Sequence, residues 1–571
     1  SRRITMNVSQ QRRLWVVIAM VFVFTLVVVY RLVSFQVVQD DELAELGKSM
    51  QSGVFVAQPA RGIIYDRNMG VLAGNGSDYQ LGVSPTQVYM PEELATSLAP
   101  ILEEPRSVLL AKMNSDALFE MLSGRISPET AETIRELPFE DQIQLDPLPR
   151  RIYPHNDLLC HILGYTDFSG TGGSGLEGYY QSELAGEAAS AEFNISPLTQ
   201  QKSVIAREGA DLVLTIDRTV QHVVESHLRQ AMETYQAASG TIIVMSPKTG
   251  AILAMANLPC YSPYKFFEAE EDALLNPAVS MQYEPGSVMK LITMSAALDS
   301  GTVTPQSTYY DSGVIVMGGH PLYNWDRSAR GTVDMTGLLA NSLNVGAATL
   351  ASWMGPDTFY NYFQRFNFGR PMGIDLMAEA GGQLPLPGDS MWTETNLGTN
   401  AFGQGLATTP LQMVAAVSAI ANNGYLMQPY IVQEIHKDGQ VLEHRPTVLS
   451  RAISEQTADT VSAMAVNAVR TEVFGAQVEG YTVAGKTGTA QIPEGGIYHP
   501  TDTIASFIGW LPADDPEIIV LVKLDRPKAS PWGSTTAAPA FAELATDLVA
   551  LLDIPPDDVR LQQDVLVARN D

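Results

Sequence analysis

Hydrophobic and polar residues change their pattern three times along the chain, and the first pattern is the simplest. Residues 14–30 form an uncharged apolar run, and residues 32–38 extend it beyond Arg31. A membrane-spanning helix needs roughly 17–25 such residues, and a flanking arginine can reach the membrane interface with its long side chain. A cleaved signal peptide would have a shorter apolar core and small residues near a cleavage site, which this stretch lacks. The pattern therefore predicts one uncleaved transmembrane helix over residues 14–38.

Short apolar segments separated by turn residues follow, and they predict a mixed α+β region over residues 39–209. Residues 61–73 read as two strands joined by a turn, which is a hairpin. Residues 90–145 carry short amphipathic helical patterns broken by prolines, with Ser127-Pro128 as a helix start. Gly170-Thr-Gly-Gly-Ser-Gly175 has the spacing of a dinucleotide-binding loop, but no repeated strand–helix–strand pattern surrounds it. We interpret that segment as a loop and the whole region as a structural platform.

Residues 210–552 have the longer strands and helices of a second folded domain of α/β type. A strand over residues 211–217 ends at Asp217, which is a suitable N-cap for a helix over residues 220–235. Residues 241–245 and 251–255 are two apolar strands, and the turn between them contains Pro and Gly. The acidic stretch from residue 553 to residue 571 contains Pro555-Pro556 and is predicted to be a poorly ordered tail.

Composition and charge narrow the range of functions. Hydrophobic residues make up 45% of the chain and charged residues 17%, which favours sizeable folded cores. Residues 1–38 carry a net charge of +5 and the remainder −33. This asymmetry places residues 1–13 in the cytoplasm and the bulk outside the membrane, and the acidity argues against nucleic acid as a partner. The chain has only two cysteines, which argues against a disulfide-rich scaffold. The cysteines form no C-x-x-C motif and the eight histidines are scattered, which argues against a metal site.

Candidate chemistry begins at Ser287-Val-Met-Lys290. Pro285 and Gly286 break the chain just before it, and the apolar run after Lys290 is typical of a buried helix. Ser287 would lie near the helix N-terminus, where free N–H groups favour an oxyanion. Lys290 would share its helical face, and a desolvated lysine loses its proton readily and can activate a serine. The S-x-x-K spacing alone is weak, because Ser262-Pro-Tyr-Lys265 also has it.

Two further motifs follow in the same domain. Ser342-Leu-Asn344 lies between two apolar helical segments and, taken alone, indicates a polar break between helices. Lys486-Thr487-Gly488-Thr489 lies in a predicted strand, where glycine lets a ligand approach the backbone and the two threonines share one side. Lys248-Thr-Gly250 repeats this motif inside the turn of the earlier hairpin. Each motif is weak, but their order within one domain is specific.

The order S-x-x-K, S-x-N, K-T-G resembles that of class B penicillin-binding proteins, which are membrane-anchored transpeptidases that cross-link peptidoglycan. The resemblance implies a single transmembrane helix, an α+β pedestal or dimerisation-type domain, and a penicillin-binding domain in which helices flank an antiparallel sheet, as in serine β-lactamases. The resemblance covers nearly the whole chain and includes residues 61–73, Arg151-Ile-Tyr-Pro154, Gly175-Leu-Glu177, Gly403-Gln-Gly405, Thr409-Pro-Leu-Gln412 and Ala537-Ala-Pro-Ala-Phe541.

The resemblance also implies a role for each motif residue. Ser287 would attack the bond between the last two D-alanines of a stem peptide and form an acyl-enzyme, with Lys290 taking its proton. Ser342 would relay a proton, and Asn344 would hold the donor amide and position Lys290. Lys486 would keep Lys290 neutral and attract the substrate carboxylate. Thr487, Gly488 and Thr489 would bind substrate, and the N–H groups of Ser287 and Thr489 would form the oxyanion hole. No cofactor or metal is implied.

Partners and alternatives follow from the same resemblance. The partners implied are peptidoglycan stem peptides, β-lactam antibiotics, a multispan SEDS-family glycosyltransferase and other division or elongation membrane proteins. The location implied is the bacterial cytoplasmic membrane, with the catalytic domain outside. The short stretch over residues 165–177 favours the septal, FtsI-type branch over an elongation-type transpeptidase. A β-lactamase would need neither anchor nor platform, and a non-catalytic scaffold would have no reason to keep all five motif residues.

Overall fold

The computed structural model describes residues 8–34, 52–57, 59–194, 206–495 and 497–567, and the chain divides into two compact units. One unit comprises residues 1–60 and 186–208. Its helix α1, Val8–Val33, contains a stretch with a mean hydropathy of 2.7, and in the described part of the chain it is the one helix long and apolar enough to span a membrane. The prediction of an apolar N-terminal helix is confirmed, and residues 35–38 of the predicted span lie outside the described residues. Strands β1 (Ser52–Ala57) and β6 (Ala189–Asn194) of this unit pair antiparallel.

The other unit comprises residues 61–185 and 209–571 and contains the two larger sheets. Its strands are β2 (Ile64–Tyr65), β3 (Val71–Val83), β4 (Glu120–Ile126), β5 (Gln144–Ile152), β7 (Asp211–Leu214), β8 (Ser239–Met245), β9 (Ile252–Leu258), β10 (Thr308–Asp311), β11 (Val314–Met317), β12 (His320–Tyr323), β13 (Gly331–Asp334), β14 (Tyr425–Met427), β15 (Val432–Lys437), β16 (Gln440–Glu443), β17 (Val448–Arg451), β18 (Ala484–Glu494), β19 (Ile497–Leu511) and β20 (Ile518–Asp525).

Sixteen helices of this unit are described. They are α2 (Pro91–Leu102), α3 (Arg106–Met113), α4 (Pro128–Arg135), α5 (Cys160–Leu163), α6 (Gly175–Tyr179), α7 (Gln181–Leu184), α8 (Arg218–Tyr235), α9 (Pro277–Ser280), α10 (Lys290–Asp299), α11 (Met335–Ala340), α12 (Asn344–Arg365, kinked at Gly355), α13 (Glu394–Asn400), α14 (Pro410–Ile420), α15 (Glu455–Thr471), α16 (Ala537–Leu551) and α17 (Asp557–Val567).

The first sheet runs across the predicted boundary between residues 209 and 210. Its order is β16-β15-β7-β2-β3-β4, with β5 also paired to β3. Strands β2 and β3 form the predicted hairpin, with Ile64 opposite Ala73. Strand β7 pairs with β2 in parallel and with β15 antiparallel. Ile64 and Leu212, both fully buried, therefore belong to one continuous core, a pairing that the local sequence pattern does not reveal.

A buried charge cluster joins three of the segments that carried the family resemblance. The carboxylate of Glu177 is completely buried and accepts hydrogen bonds from Arg61 Nε and Arg151 Nε, each at 2.6 Å. Arg151 also donates to Asn75 Oδ1 at 3.0 Å. A buried carboxylate is stable only when it is paired and hydrogen-bonded, so these residues fix the hairpin, the end of β5 and helix α6 to one another.

The second sheet has the order β18-β19-β20-β8-β9 and is antiparallel throughout. Both of its faces are covered, which explains the continuous apolar runs of its strands. In β8, Ile243 and Met245 pack into one core with α10 and α14, whereas Ile242 and Val244 pack into the other with α8 and α16. This antiparallel sheet flanked by helices confirms the fold class predicted for the catalytic domain.

Two features differ from the sequence-based picture. Cys160 and Cys260 form a disulfide with Cα atoms 6.3 Å apart, within the usual range, which two cysteines a hundred residues apart did not indicate. The predicted disordered tail is wrong over Asp557–Val567, which forms α17. Arg560 donates to Asp514 at 2.9 Å, and the Asp557 carboxylate accepts from Thr482 N at 2.7 Å. These contacts fix the start of the helix after Pro555-Pro556, and residues 568–571 lie outside the described residues.

Candidate active site

Ser287 lies in a single 3-10 turn, Gly286–Met289, that leads directly into α10. Gly286 has a φ of +59°, and a Cβ added there would lie 3.0 Å from Thr489 O. Its N–H donates to Gly403 O at 3.0 Å. A residue without a side chain is therefore required before Ser287, because the turn is left-handed there and touches β18.

Lys290 Nζ is the centre of the cluster. It lies 3.0 Å from Ser287 Oγ, 2.6 Å from the Ser342 carbonyl oxygen, 3.1 Å from Ser342 Oγ and 2.7 Å from Asn344 Oδ1. The side chain is 1% exposed. Burial, and then the charge of Lys486, hold the pKa of Lys290 well below its usual value. The lysine is therefore poised to be a neutral amine.

The hydrogen-bond partners of Lys290 fit that neutral state. A neutral amine has two N–H donors and one lone pair, and the Ser342 carbonyl and Asn344 Oδ1 can only accept. Those two acceptors, at 2.6 and 2.7 Å, use both N–H groups. The lone pair then remains for a hydroxyl, and Ser287 Oγ lies at hydrogen-bond distance. The geometry thus allows Ser287 to donate its proton to Lys290.

Ser342 and Asn344 come from the break between α11 and α12, as predicted. Ser342 has a φ of +55°, a conformation that is costly for a residue with a side chain and is often found at functional sites. This conformation turns both its carbonyl and its hydroxyl towards Lys290. Asn344 Nδ2 donates to Tyr323 O at 3.0 Å, which leaves its Oδ1 for Lys290.

The K-T-G motif occupies strand β18 on the other side of Ser342. Lys486 is 2% exposed, and its Nζ lies 3.0 Å from Ser342 Oγ. Burial lowers the pKa of Lys486 to about 8, so the group is charged at neutral pH. Thr489 Oγ1 accepts a hydrogen bond from Gly533 N at 3.1 Å, which leaves its hydroxyl hydrogen for a ligand. A Cβ on Gly488 would meet Pro285 O at 3.0 Å, so this glycine allows the serine turn to contact the strand.

The structure thus brings Ser287, Lys290, Ser342, Asn344 and Lys486 into one connected cluster, with Thr487, Gly488 and Thr489 in the adjoining strand.

The duplicate motifs lie elsewhere, and their lysines are paired with other residues. Lys265 pairs with Glu268 on the surface, and Lys248 pairs with Asp515 and Glu517. Residues 170–174 form a loop ahead of the five-residue helix α6, which begins at Gly175. In the described residues, the one group of cysteine, histidine and acidic side chains with metal-binding spacing is Cys160, His161 and Cys260, and its cysteines form the disulfide.

The model of the penicillin-binding protein transpeptidase domain matches residues 240–546, and the model of the penicillin-binding protein dimerisation domain matches residues 56–214. The chain belongs to the penicillin-binding protein family. Both domains occur in the order of the class B members, so this is a class B penicillin-binding protein with a serine-type transpeptidase domain. The five clustered residues all lie inside the transpeptidase match.

Relatives and solved structures resemble this penicillin-binding protein over most of its length. Stage V sporulation protein D of Bacillus subtilis is 34% identical over 96% of this chain and 87% of its own. The probable peptidoglycan D,D-transpeptidase PbpC of Pseudomonas aeruginosa is 30% identical over 97% and 98%. The crystal structure of penicillin-binding protein 3 of Mycobacterium tuberculosis with aztreonam is 28% identical, with a TM-score of 0.69 over 88% of this chain and 98% of that one.

Sequence reasoning missed a buried pair that supports the S-x-N segment. Asp311 is fully buried, and both of its carboxylate oxygens accept from Asn324 Nδ2, at 3.0 and 2.9 Å. Asn324 Oδ1 in turn accepts from Val345 N at 3.1 Å, directly beside Asn344. The pair fixes the loop that also supplies the Tyr323 carbonyl. Two polar residues in a loop carry no spacing signal, and only their burial would have revealed them.

Two tryptophans that adjoin residues of this site were also missed. The Trp325 and Trp532 ring centres are 5.6 Å apart, with an angle of 68° between the ring planes. Trp325 follows Asn324, and Trp532 precedes Gly533, which contacts Thr489. Both are about half exposed, so hydrophobicity alone would have placed them in a core rather than at the rim of a site.

Proposed function

We propose that this penicillin-binding protein is a membrane-anchored D,D-transpeptidase that cross-links peptidoglycan stem peptides through a Ser287 ester and is acylated by β-lactams. The observation that carries the proposal is the arrangement around Lys290. In a buried neutral amine with both N–H groups bonded to acceptors, the lone pair is left for the Ser287 hydroxyl, whose oxygen lies 3.0 Å from Lys290 Nζ. That is the arrangement a base needs to activate a serine nucleophile.

Acylation follows from these contacts. Ser287 Oγ attacks the carbonyl of the penultimate D-alanine, and its proton passes to Lys290. The oxygen of the tetrahedral intermediate lies in a hole formed by the N–H groups of Ser287 and Thr489. The C–N bond then breaks, and the departing amine of the last D-alanine takes a proton from the Ser342 hydroxyl. Ser342 recovers a proton from Lys290, to which its Oγ lies at 3.1 Å.

In the second step the acyl group is transferred to another stem peptide, and the proton movements run in reverse. The amine of another stem peptide attacks the Ser287 ester and loses a proton through Ser342, and Ser287 leaves with a proton from Lys290. The products are a new peptide bond and the free serine. Asn344 holds the donor's amide during both steps.

Lys486, Thr487 and Thr489 bind the C-terminal carboxylate of the donor. Lys486 supplies a positive charge, and the Thr489 hydroxyl has a hydrogen available because its oxygen already accepts from Gly533. A carboxylate takes such charge-assisted hydrogen bonds readily. Because a β-lactam carries a carboxylate and a reactive carbonyl, the same groups would bind it and stop at the ester.

The cellular role proposed is septal wall synthesis in the cytoplasmic membrane, with the N-terminus in the cytoplasm and the catalytic domain outside. The apolar helix α1, the basic residues before it and the acidic chain after it support this orientation. The short stretch over residues 165–177 favours the septal branch, with an elongation-type transpeptidase as the alternative. A SEDS-family glycosyltransferase is the partner proposed for making the glycan strands.

The test is the intact mass of the full chain after incubation with benzylpenicillin, beside Ser287→Ala. The wild-type chain is expected to gain the mass of one penicillin and to keep it, whereas the variant gains none. An adduct that disappears within minutes would instead favour a β-lactamase. A folded wild-type chain that forms no adduct would favour a non-catalytic scaffold and would contradict the proposal.

A further inference from the structure

Glu284, three residues before Ser287, is a half-buried carboxylate that the proposed reaction does not use. Its Oε1 accepts from Gly405 N at 2.9 Å and from the Tyr498 hydroxyl at 3.1 Å. Its Oε2 is shielded from solvent and has no partner in the described part of the chain. An unsatisfied buried oxygen is costly and calls for an explanation. No described lysine or arginine forms a salt bridge with it.

The position of this carboxylate along the cleft follows from its neighbours. Gly286, two residues later, lies against Thr489 and Ala490 of β18. Tyr498 lies opposite Pro493 in the pairing of β18 with β19. Glu284 therefore lies beside the part of β18 that extends from Thr489 towards Pro493, beyond the K-T-G motif.

The direction of the donor peptide is set by the groups that hold it. Its C-terminal carboxylate lies at Lys486 and Thr487, and its reacting carbonyl lies at the N–H of Thr489. The donor therefore runs antiparallel to β18, as a peptide that adds to a strand edge can do. Its earlier residues pass alongside the strand beyond Thr489, at about 3.3 Å per residue. The residue that precedes the two D-alanines thus arrives next to Glu284.

We propose that Glu284 binds the free side-chain ammonium of the diamino acid that precedes D-Ala-D-Ala in the donor stem peptide. The inference rests on the proposed function and adds a donor specificity to it. The ammonium would donate to Oε2, the oxygen without a partner, in a charge-assisted hydrogen bond. A lysine-like side chain has a flexible four-carbon stem that can span from the strand to the carboxylate. Tyr498, whose side chain is 40% exposed, would turn outward to admit it.

The test compares two donors that differ by one charge. Both are Nα-acetyl-lysyl-D-alanyl thioesters, one with a free Nε amine and one with that amine acetylated. Thiol release by the full chain gives kcat/KM for each. The free-amine donor is expected to be preferred by about tenfold to a hundredfold, because a hydrogen bond to a charged group contributes that much. Glu284→Gln is expected to bring the ratio close to one.

A matched control and a fold check keep the outcomes distinct. Glu268→Gln removes an exposed carboxylate outside the cleft and is expected to keep the wild-type ratio. Acylation by benzylpenicillin checks that each variant is folded. If Glu284→Gln fails this check, the ratio of kcat/KM for the two donors in the wild-type chain alone tests the inference. The inference is overturned if the wild-type chain shows no preference, or if Glu284→Gln keeps it or slows both donors equally. If the wild-type chain is not acylated by benzylpenicillin, the proposed function itself fails.

Discussion

Removing the charge of Lys486 is expected to raise the pKa of Lys290 and so to shift the pH range of acylation. The two amines lie at 3.1 and 3.0 Å from the same Ser342 Oγ. Their nitrogens are therefore no more than about 6 Å apart, where two unit charges repel by about 3 kcal/mol at an effective dielectric constant of 20. That energy corresponds to about 2 pKa units. Both side chains are almost fully buried, so solvent screens the repulsion little.

The direction of the pH shift follows from which protonation state of each lysine is active. Lys290 accepts the Ser287 proton only when neutral, so acylation is lost as pH falls through its pKa. Lys486→Met removes the repulsion that helps to lower this pKa, and the acidic limb of the rate profile should move upward by about 2 units. The wild-type chain should also lose activity above about pH 8, where Lys486 loses its charge. The variant should lack that alkaline limb.

The assay is the second-order rate of benzylpenicillin acylation from pH 5 to pH 10. Lys248→Met is the matched control, because Lys248 begins the duplicate K-T-G motif and pairs with Asp515 and Glu517 on the surface. Its profile should equal that of the wild-type chain. If the acidic limb of Lys486→Met stays in place or moves downward, the charge of Lys486 does not set the pKa of Lys290, and the reasoning is refuted.

Three further substitutions test the supports of the site. Arg151→Met leaves the fully buried Glu177 with one arginine fewer and should lower the free energy of unfolding by about 3–5 kcal/mol; an unchanged thermal midpoint would contradict this. Gly286→Ala places a side chain on a left-handed residue in contact with β18, so it should slow acylation more than tenfold in a chain that still unfolds cooperatively. Asn324→Leu removes the side-chain amide that bonds to both oxygens of the buried Asp311 carboxylate and should lower both stability and acylation rate. A stable variant with normal acylation would show that the pair does not position the S-x-N segment.

The sequence pattern was sufficient to predict those elements that are determined by residues close together in the chain. Asp217 caps α8 by accepting from Thr219 N and Val220 N, as its residue type and place indicated. The two apolar runs around residues 246–250 form adjacent antiparallel strands, because the Pro and Gly between them reverse the chain. The break at Ser342 and the strand at Lys486 were likewise visible in the alternation of polar and apolar residues.

Contacts between distant segments were not visible in the same way. The Cys160–Cys260 disulfide and the Asp311–Asn324 pair depend on which surfaces meet, and neither leaves a periodic signal. The pairing of β7 with β2 joins segments about 150 residues apart, so residue 210 could be read as a boundary although one sheet crosses it. Glu284 was passed over because the residues just before Ser287 were interpreted only as a break in the chain.

The three motifs acquire their chemistry only together, and Ser342 shows why. Its hydroxyl lies between a lysine whose pKa is strongly lowered and a lysine that is charged at neutral pH. One oxygen can therefore exchange a proton with Lys290 while Lys486 stabilises any negative charge that it develops. The left-handed backbone at Ser342 directs both its carbonyl and its hydroxyl to Lys290, which a helical residue at that position would not do. S-x-x-K, S-x-N and K-T-G are weak signals singly because each supplies only one part of this arrangement, and their order is informative because the fold must bring all three to one hydroxyl.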